Sequence, residues 1–322
     1  MLTVEVARFR AAVLRTIRAF FDERGYIEVD TPVMAPSLIP EAHIEVFATE
    51  VFHPDDSSPE RVFLVPSPEI WMKRLLAAGY GNLYYLGKVF RNGESRSRIH
   101  RPEFTMLEWY AVNADYEDQA VLTEELLQQM CRSLAMADDV AMADSFAAVG
   151  AAVERLTVAE SFTRFAGLES PRFGEHRAMA AAAESLGLSV GSDESEEDLY
   201  QRILLTFVEP KLPVDRPVML FDYPALVPTL AKTRGVTSER WELYLAGMEI
   251  ANCYTEERDP QILRDFVERE HLRKLAARVP HPPASLSSFA AAPPCSGVAL
   301  GVDRLVMALL GLRDIGGVIF SP

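Results

Sequence analysis

Two runs of β-type residues, at 83–90 and 103–110, flank a charged, glycine-containing loop at 91–102. They read as an antiparallel pair, and a chain built around such a pair is not a repeat of strand–helix–strand units. Elsewhere strands and helices fail to alternate regularly, no internal repeat is found, and the expected class is α+β with a largely antiparallel sheet flanked by helices.

The rest of the chain fills in that frame. Val6, Phe9, Val13, Ile17 and Phe20 recur at helical spacing over 4–24, and Gly25 supplies a stop. A strand at 26–30 ends at Thr31-Pro32, where the missing amide hydrogen interrupts a ladder. Short β-type runs at 45–52 and 62–65 form a hairpin. Ser67-Pro68-Glu69 has a hydroxyl cap, a proline at the first helical position and an acid in the first turn, opening a helix to about Ala78. Residues 115–212 read as mostly helical, and their acidic run 193–198 as a solvated helix start. Strands follow at 217–222, 240–245 and 248–256, a helix at 260–278, a Pro/Ala/Ser-rich loop at 279–294, and a strand, glycine turn and helix at 296–311.

Composition excludes several function classes. The formal charge of −15 over 322 residues works against gripping a long phosphate backbone, which depends on Lys and Arg releasing counterions. Three cysteines at unrelated spacings form neither a disulfide framework nor a zinc motif. No apolar run is long enough to span a membrane and no signal peptide opens the chain, so a cytoplasmic protein is expected.

The candidate chemistry lies on strands. Alternation places Phe104, Met106, Glu108 and Tyr110 on one face, a carboxylate among aromatics. The adjoining loop carries Arg91, Glu94, Arg96, Arg98, His100 and Arg101, which suits phosphates and a base. With Ala246-Gly247 as a two-residue turn, Glu242 falls opposite Ala251 and Glu249 becomes its diagonal neighbour, roughly 7–8 Å away between α-carbons. Two such carboxylates suit a shared Mg²⁺. Asn252, Tyr254 and Glu256 would join the same pocket only through a β-bulge. Gly297 through Arg304 ends a strand at a glycine and starts a helix. Taken singly, each feature has a plain structural explanation: a covered sheet edge, a solvated loop, exposed edge glutamates, close strand–helix packing.

Taken together, the segments resemble the three motifs of the class II aminoacyl-tRNA synthetases, in order, over about residues 5–320. Motif 1 corresponds to the helix 4–24 with the strand ending at Pro32, motif 2 to 89–108, and motif 3 to Gly301-Val302-Asp303-Arg304. The strings PEFTMLEWY and SGVALGVDRL resemble the lysyl branch, and within it the short ligases that modify elongation factor P.

The resemblance implies ATP and Mg²⁺ as cofactors. It implies an ATP site of Arg91, Asn92, Glu94, His100, Phe104, Glu249, Ile250, Gly301 and Arg304, with Arg91 and Arg304 catalytic and Phe104 and Arg304 around adenine. Glu242 and Glu249 would hold the metal. Ser67 and Glu69 would meet the substrate's amino group, with Glu108, Tyr110, Asn252, Glu256 and Ala299 completing its pocket. Motif 1 implies a homodimer.

Three departures stand out: Gly93 lengthens the motif 2 loop by one residue, Arg101 replaces an asparagine, and Cys253 replaces a small residue. Fewer than ten residues precede the motif 1 helix, so a single catalytic domain with a helical insertion at about 115–212 and no anticodon-binding domain is expected. That, with the acidic charge, disfavours full-length tRNA as acceptor and favours a lysine of elongation factor P, with lysine or (R)-β-lysine as the activated substrate. A fragment serving tRNA or another acceptor, and a non-catalytic amino-acid sensor, are the alternatives.

Overall fold

The computed structural model describes residues 2–54, 58–93, 97–135, 144–169, 171–275 and 278–320. Helix α1 (Val4–Asp22) begins where Thr3 Oγ1 accepts the Val6 amide at 3.3 Å, and Gly25 follows its end with φ +72°. Strands β1 (Ile27–Glu28), β2 (Met34–Ala35), β3 (Ala48–Val51) and β4 (Glu60–Leu64) come next. β2, β4 and β3 form a small antiparallel sheet. Helix α2 (Glu69–Ala77) opens at the expected motif: Ser67 Oγ accepts the Glu69 amide at 3.0 Å, and Pro68 already has helical backbone angles.

Strands β5 (Leu83–Phe90) and β6 (Glu103–Val112) form the expected antiparallel pair. Beyond them lie α3 (Tyr116–Ala135), α4 (Asp144–Val149), β7 (Glu154–Thr157), α5 (Val158–Ser161), α6 (His176–Ser185) and α7 (Glu196–Ile203). β7 is a strand that the mostly helical reading of this region did not locate. Its four residues pair in parallel with β8 (Val218–Pro224), although flanked by helix on both sides. The acidic run does start a helix: Ser195 and Asp198 form a reciprocal capping box. The helices of this region share a core with β8 and with Tyr244, and in it Phe162 stacks on Tyr200 at 5.5 Å between ring centres.

The chain then runs through β9 (Thr233–Arg234), β10 (Thr237–Leu245), β11 (Met248–Thr255), α8 (Pro260–Lys274), α9 (Ser287–Ala291), β12 (Cys295–Gly301) and α10 (Val302–Leu310). α9 is a short helix inside the segment expected to be loop. Among the described residues the main sheet has nine strands, in the order β1-β5-β6-β12-β11-β10-β8-β7 with β9 beside β10. Its interior is antiparallel, and only the outer pairs β1–β5 and β7–β8 are parallel.

One face of this sheet is apolar. Leu107, Trp109, Trp241, Leu243, Cys253, Val298 and Leu300 pack there against α1, α3 and α10. Cys253 therefore points away from the opposite face. Arg10 crosses from α1 to pair with buried Asp303 at 2.6 Å and to donate to Thr105 Oγ1 at 2.7 Å, while the Thr105 amide donates to Asp303 at 2.8 Å. These contacts tie the first helix to β6 and to the start of α10.

Candidate active site

The face opposite the apolar core carries the polar residues, and strand register sets them in rows. Tyr85, Glu108, Ala299, Asn252 and Glu242 stand side by side across five strands. The next row is Leu83, Tyr110, Gly297, Tyr254 and Arg240. Directly opposed residues share a face; Glu108, Tyr110, Asn252, Tyr254, Ala299 and Arg240 of these rows line a cavity there, while Leu83 and Tyr85 are packed in a hydrophobic cluster.

The hairpin β10–β11 turns at Ala246-Gly247, both at positive φ (+50° and +75°), with Leu245 opposite Met248. Glu249 faces Tyr244, but Ala251 faces Leu243, so Ile250 is an extra residue. This bulge corrects the regular count: Glu242 faces Asn252, not Ala251. It also puts Glu249 on the face of Asn252, Tyr254 and Glu256, which a regular strand would not.

At one end of the face a cleft is lined by Arg91, His100, Arg101, Phe104, Glu249, Ile250, Gly301 and Arg304, among others. The Arg91 guanidinium lies 5.4 Å from the Phe104 ring centre. Arg304, in the first turn of α10, donates to the Glu249 carbonyl at 2.8 Å and the Ile99 carbonyl at 3.4 Å. Phe104 and Arg304 line the same cleft. A side chain at Gly301 would make only ordinary contacts, the nearest to the Ile250 carbonyl at 3.7 Å. The open side of that glycine is available to a planar ligand. Arg101 turns back on its own loop, donating to the Ser97 and His100 carbonyls at 2.7 and 2.8 Å.

Glu249 is exposed to this cleft. Glu242 accepts from Tyr223 and Tyr244 at 2.5 and 2.8 Å and from Arg240 at 2.5 Å. Tyr244 is held in turn by Glu209 of the insertion at 3.1 Å. Among the described residues no group of three His, Cys, Asp or Glu side chains could hold a metal ion. Two carboxylates fit Mg²⁺ when phosphate oxygens and water supply the other ligands.

The other end of the face opens into a cavity of about 520 Å³, lined by Ser67, Glu69, Glu108, Tyr110, Asn252, Tyr254, Glu256 and Ala299 together with Glu41, His43 and Arg240. Pockets of about 300–1,000 Å³ are usual for small ligands. Ser67 and Tyr110 donate to Glu108 at 2.7 and 2.8 Å, and Tyr254 donates to Glu69 at 3.3 Å. Burial, then the charge of Glu69, pushes Glu108 up to about 8 despite those donors. Burial also raises Glu256 to about 8, against the pull of Lys73. Glu41 rises to about 7, first by burial and then by Glu69. The site is a concentration of carboxyl groups short of positive charge. Arg91, Met106, Asn252 and Ala299 line both this cavity and the nucleotide-sized cleft, so the two meet there.

Most of the candidate residues are brought together in this way. Asn92 is not: its amide nitrogens donate to the carbonyls of Glu45 at 2.8 Å and Val46 at 3.3 Å, and it lines neither space. Glu242 also lines neither space, being buried beside Glu249, which lines the cleft. Glu94 lies outside the described residues. Sequence reasoning missed Lys73, Arg240 and Glu41. The first sits four residues after Glu69 on the same helical face, and the second two residues before Glu242 on the same strand face, so spacing offered both signals.

The profile of the family "tRNA synthetases class II (D, K and N)" matches residues 3–322. Among curated proteins, the elongation factor P–(R)-β-lysine ligase of Vibrio parahaemolyticus is 34% identical over 99% of this chain and 96% of its own length. The ligases of that name from Vibrio cholerae (35%, 97% of this chain, 94% of its own) and Edwardsiella ictaluri (36%, 96% and 92%) are similar along the same span.

Proposed function

The chain belongs to the class II tRNA synthetase (D, K and N) family, and from that premise we propose that it is an ATP-dependent ligase that activates lysine or (R)-β-lysine and transfers it to a lysine side chain of elongation factor P. One observation carries the reading: a pocket rich in carboxyls joins an arginine-bearing cleft at Arg91, Asn252 and Ala299. A substrate with two ammonium groups satisfies the pocket and presents its carboxylate at that junction.

In the first step the carboxylate oxygen attacks the α-phosphorus of ATP, the bond to the β-phosphate oxygen breaks, and pyrophosphate leaves. Arg91 draws the two anions together, and Phe104 and Arg304 hold the base, so positioning and charge neutralisation lower the barrier without a protein nucleophile. Glu242 and Glu249 would hold Mg²⁺ together with the phosphates, and the ion would neutralise part of the triphosphate charge. In the second step an acceptor amine attacks the carbonyl carbon of the adenylate, the carbon–oxygen bond to AMP breaks, and the amine loses a proton.

As a dimer, two copies would pair through α1 and the segment after it, where Ile27 and Met34 are 46% and 44% exposed. Transfer of the lysyl-adenylate to tRNA is the less favoured alternative, and the acceptor assay separates the two. Incubation with ATP and each lysine isomer should drive pyrophosphate exchange, and adding elongation factor P should increase its mass by one lysyl unit. Exchange with neither isomer overturns the activation step. Exchange with charging of tRNA alone overturns the acceptor.

A further inference from the structure

Lys73 is 1% exposed and lies behind the carboxyl-rich pocket, against Glu69 and Glu256 of its lining. Its ammonium pairs with Glu69 at 3.4 Å and, more closely, with Oε2 of Glu256, and it lies 4.4 Å from the Phe289 ring centre and 5.2 Å from that of Tyr110. Burial works against that charge, but Glu256 and Glu69 more than offset it and hold Lys73 above the ordinary lysine range. Glu256 is 4% exposed, and its other oxygen, Oε1, has no hydrogen-bond partner. A buried carboxylate oxygen left without a donor is costly unless something arrives to fill it. The space in front of it is kept by Gly297, where an added Cβ would stand 2.8 Å from Oε1 and 2.3 Å from the Tyr110 ring.

We propose that Lys73 is a positioning residue of the amino-acid pocket: it clamps Glu256 by Oε2, aims Oε1 at the side-chain ammonium of the substrate, and sets how much positive charge the pocket accepts. Without substrate, burial holds Glu108 and Glu256 towards their protonated forms, so the ammonium groups of a diamino acid would supply the charge that, together with Lys73, ionises them. The inference rests on the ligase reading above, since it assigns the substrate's ammonium to Oε1. Glu69, Glu108, Tyr110, Tyr254, Cys253 and Cys295 also face Glu256, and Lys232 and Arg258 line a second cavity with it. Among these cations Lys73 is the one that pairs with the carboxylate and draws it towards ionisation.

The test is pyrophosphate exchange against pH for the parent, Lys73→Met, Glu256→Gln and the double variant. Exchange by the parent with a lysine isomer checks the ligase reading separately. Lys73→Met should raise KM for the amino acid about tenfold or more, the scale of a charge-assisted hydrogen bond, while KM for ATP stays within about twofold. The acidic limb of its kcat/KM profile for the amino acid should move to higher pH, a shift that a merely structural lysine would not cause. The double variant should be no worse than Glu256→Gln, because Lys73 acts through that residue. An unmoved limb, equal losses for ATP and amino acid, or a double variant far below Glu256→Gln overturns the proposal. If Lys73→Met does not fold, comparing the double variant with Glu256→Gln decides, since both members of the pair are then neutral. A double variant that still fails to fold, while Glu256→Gln folds, assigns Lys73 to the fold alone.

Discussion

Glu242 stands directly across the β10–β11 hairpin from Asn252, and the extra residue that sets this register, Ile250, brings Glu249 to the same cleft. Tyr223, Tyr244 and Arg240 already donate to Glu242, whereas Glu249 is exposed. Glu249→Gln should therefore raise the Mg²⁺ concentration needed for half-maximal exchange. Glu242→Gln should do the same and also loosen Arg240, so its KM for the amino acid should rise too. Residues that share one ion act as a unit, so the double variant should lose less than the two single losses together. Strictly additive losses in a Mg²⁺ titration would argue against a shared ion.

The raised carboxyls make stability depend on pH. Glu108 and Glu256 titrate near 8 in the folded protein, against an ordinary 4.5. Between those values the folded chain holds protons that the unfolded chain has lost, so this contribution is complete below about 4.5 and disappears as pH rises through about 8. Tm of the substrate-free protein should fall more steeply over that window than Tm of Glu256→Gln, which lacks one of the titrating groups. Lysine supplies ammonium groups that favour the ionised carboxyls, so its stabilising effect should grow with pH across the same window. Parallel melting curves for parent and variant would dissociate Glu256 from the effect.

How much of this was legible beforehand depended on how local the cause was. The turn at Ala246-Gly247, the stop at Gly25 and the face carrying Phe104, Met106, Glu108 and Tyr110 follow from residue type and period, and the structure has them. The bulge at Ile250 has no signature in its own residues, because any apolar residue could occupy it. It depends on which strand lies on each side, so only its consequence for Asn252 and Glu256 could be stated. β7 is too short to show a period and is extended only because β8 lies alongside it. Lys73 lies at helical spacing from Glu69, but its closer partner, Glu256, is 183 residues away. Pairing over such a distance is a property of the fold, not of a motif.

Arg10 gives a test of how the first helix supports the site. Its guanidinium is the ion-pair partner of Asp303, which is 2% exposed and sits beside Arg304. Arg10→Ala leaves that carboxylate buried without its counter-charge, and removing one member of a buried pair costs about 3–5 kcal/mol. Since Arg10 keeps some solvent contact, with 16% of its side chain exposed, a loss near the lower figure is expected in urea unfolding. Adding Asp303→Asn should recover part of it. No recovery in the double variant would place the cost in lost packing of the arginine stem instead.

The choice of lysine isomer turns on Ala299, which stands between Glu108 and Asn252 in the central row and lines both the cleft and the amino-acid pocket. The lysyl synthetases that the sequence resembles usually carry glycine here, so the methyl group takes space where the amino-bearing carbon of α-lysine would lie. Overpacking of a close-fitting site costs roughly 1–3 kcal/mol. (R)-β-Lysine carries its amino group one carbon further from the carboxylate and can set it against Glu69, clear of the methyl. Cys253 does not compete for this space, since its side chain is buried on the opposite face of the sheet. The parent should therefore exchange pyrophosphate more efficiently with (R)-β-lysine. Ala299→Gly should improve kcat/KM for α-lysine by up to about tenfold, within the range for one methylene in a pocket. Steady-state exchange with both isomers decides it: unchanged discrimination in the variant would remove the methyl from the argument, and an α-lysine preference in the parent would reverse the isomer while leaving the ligase in place.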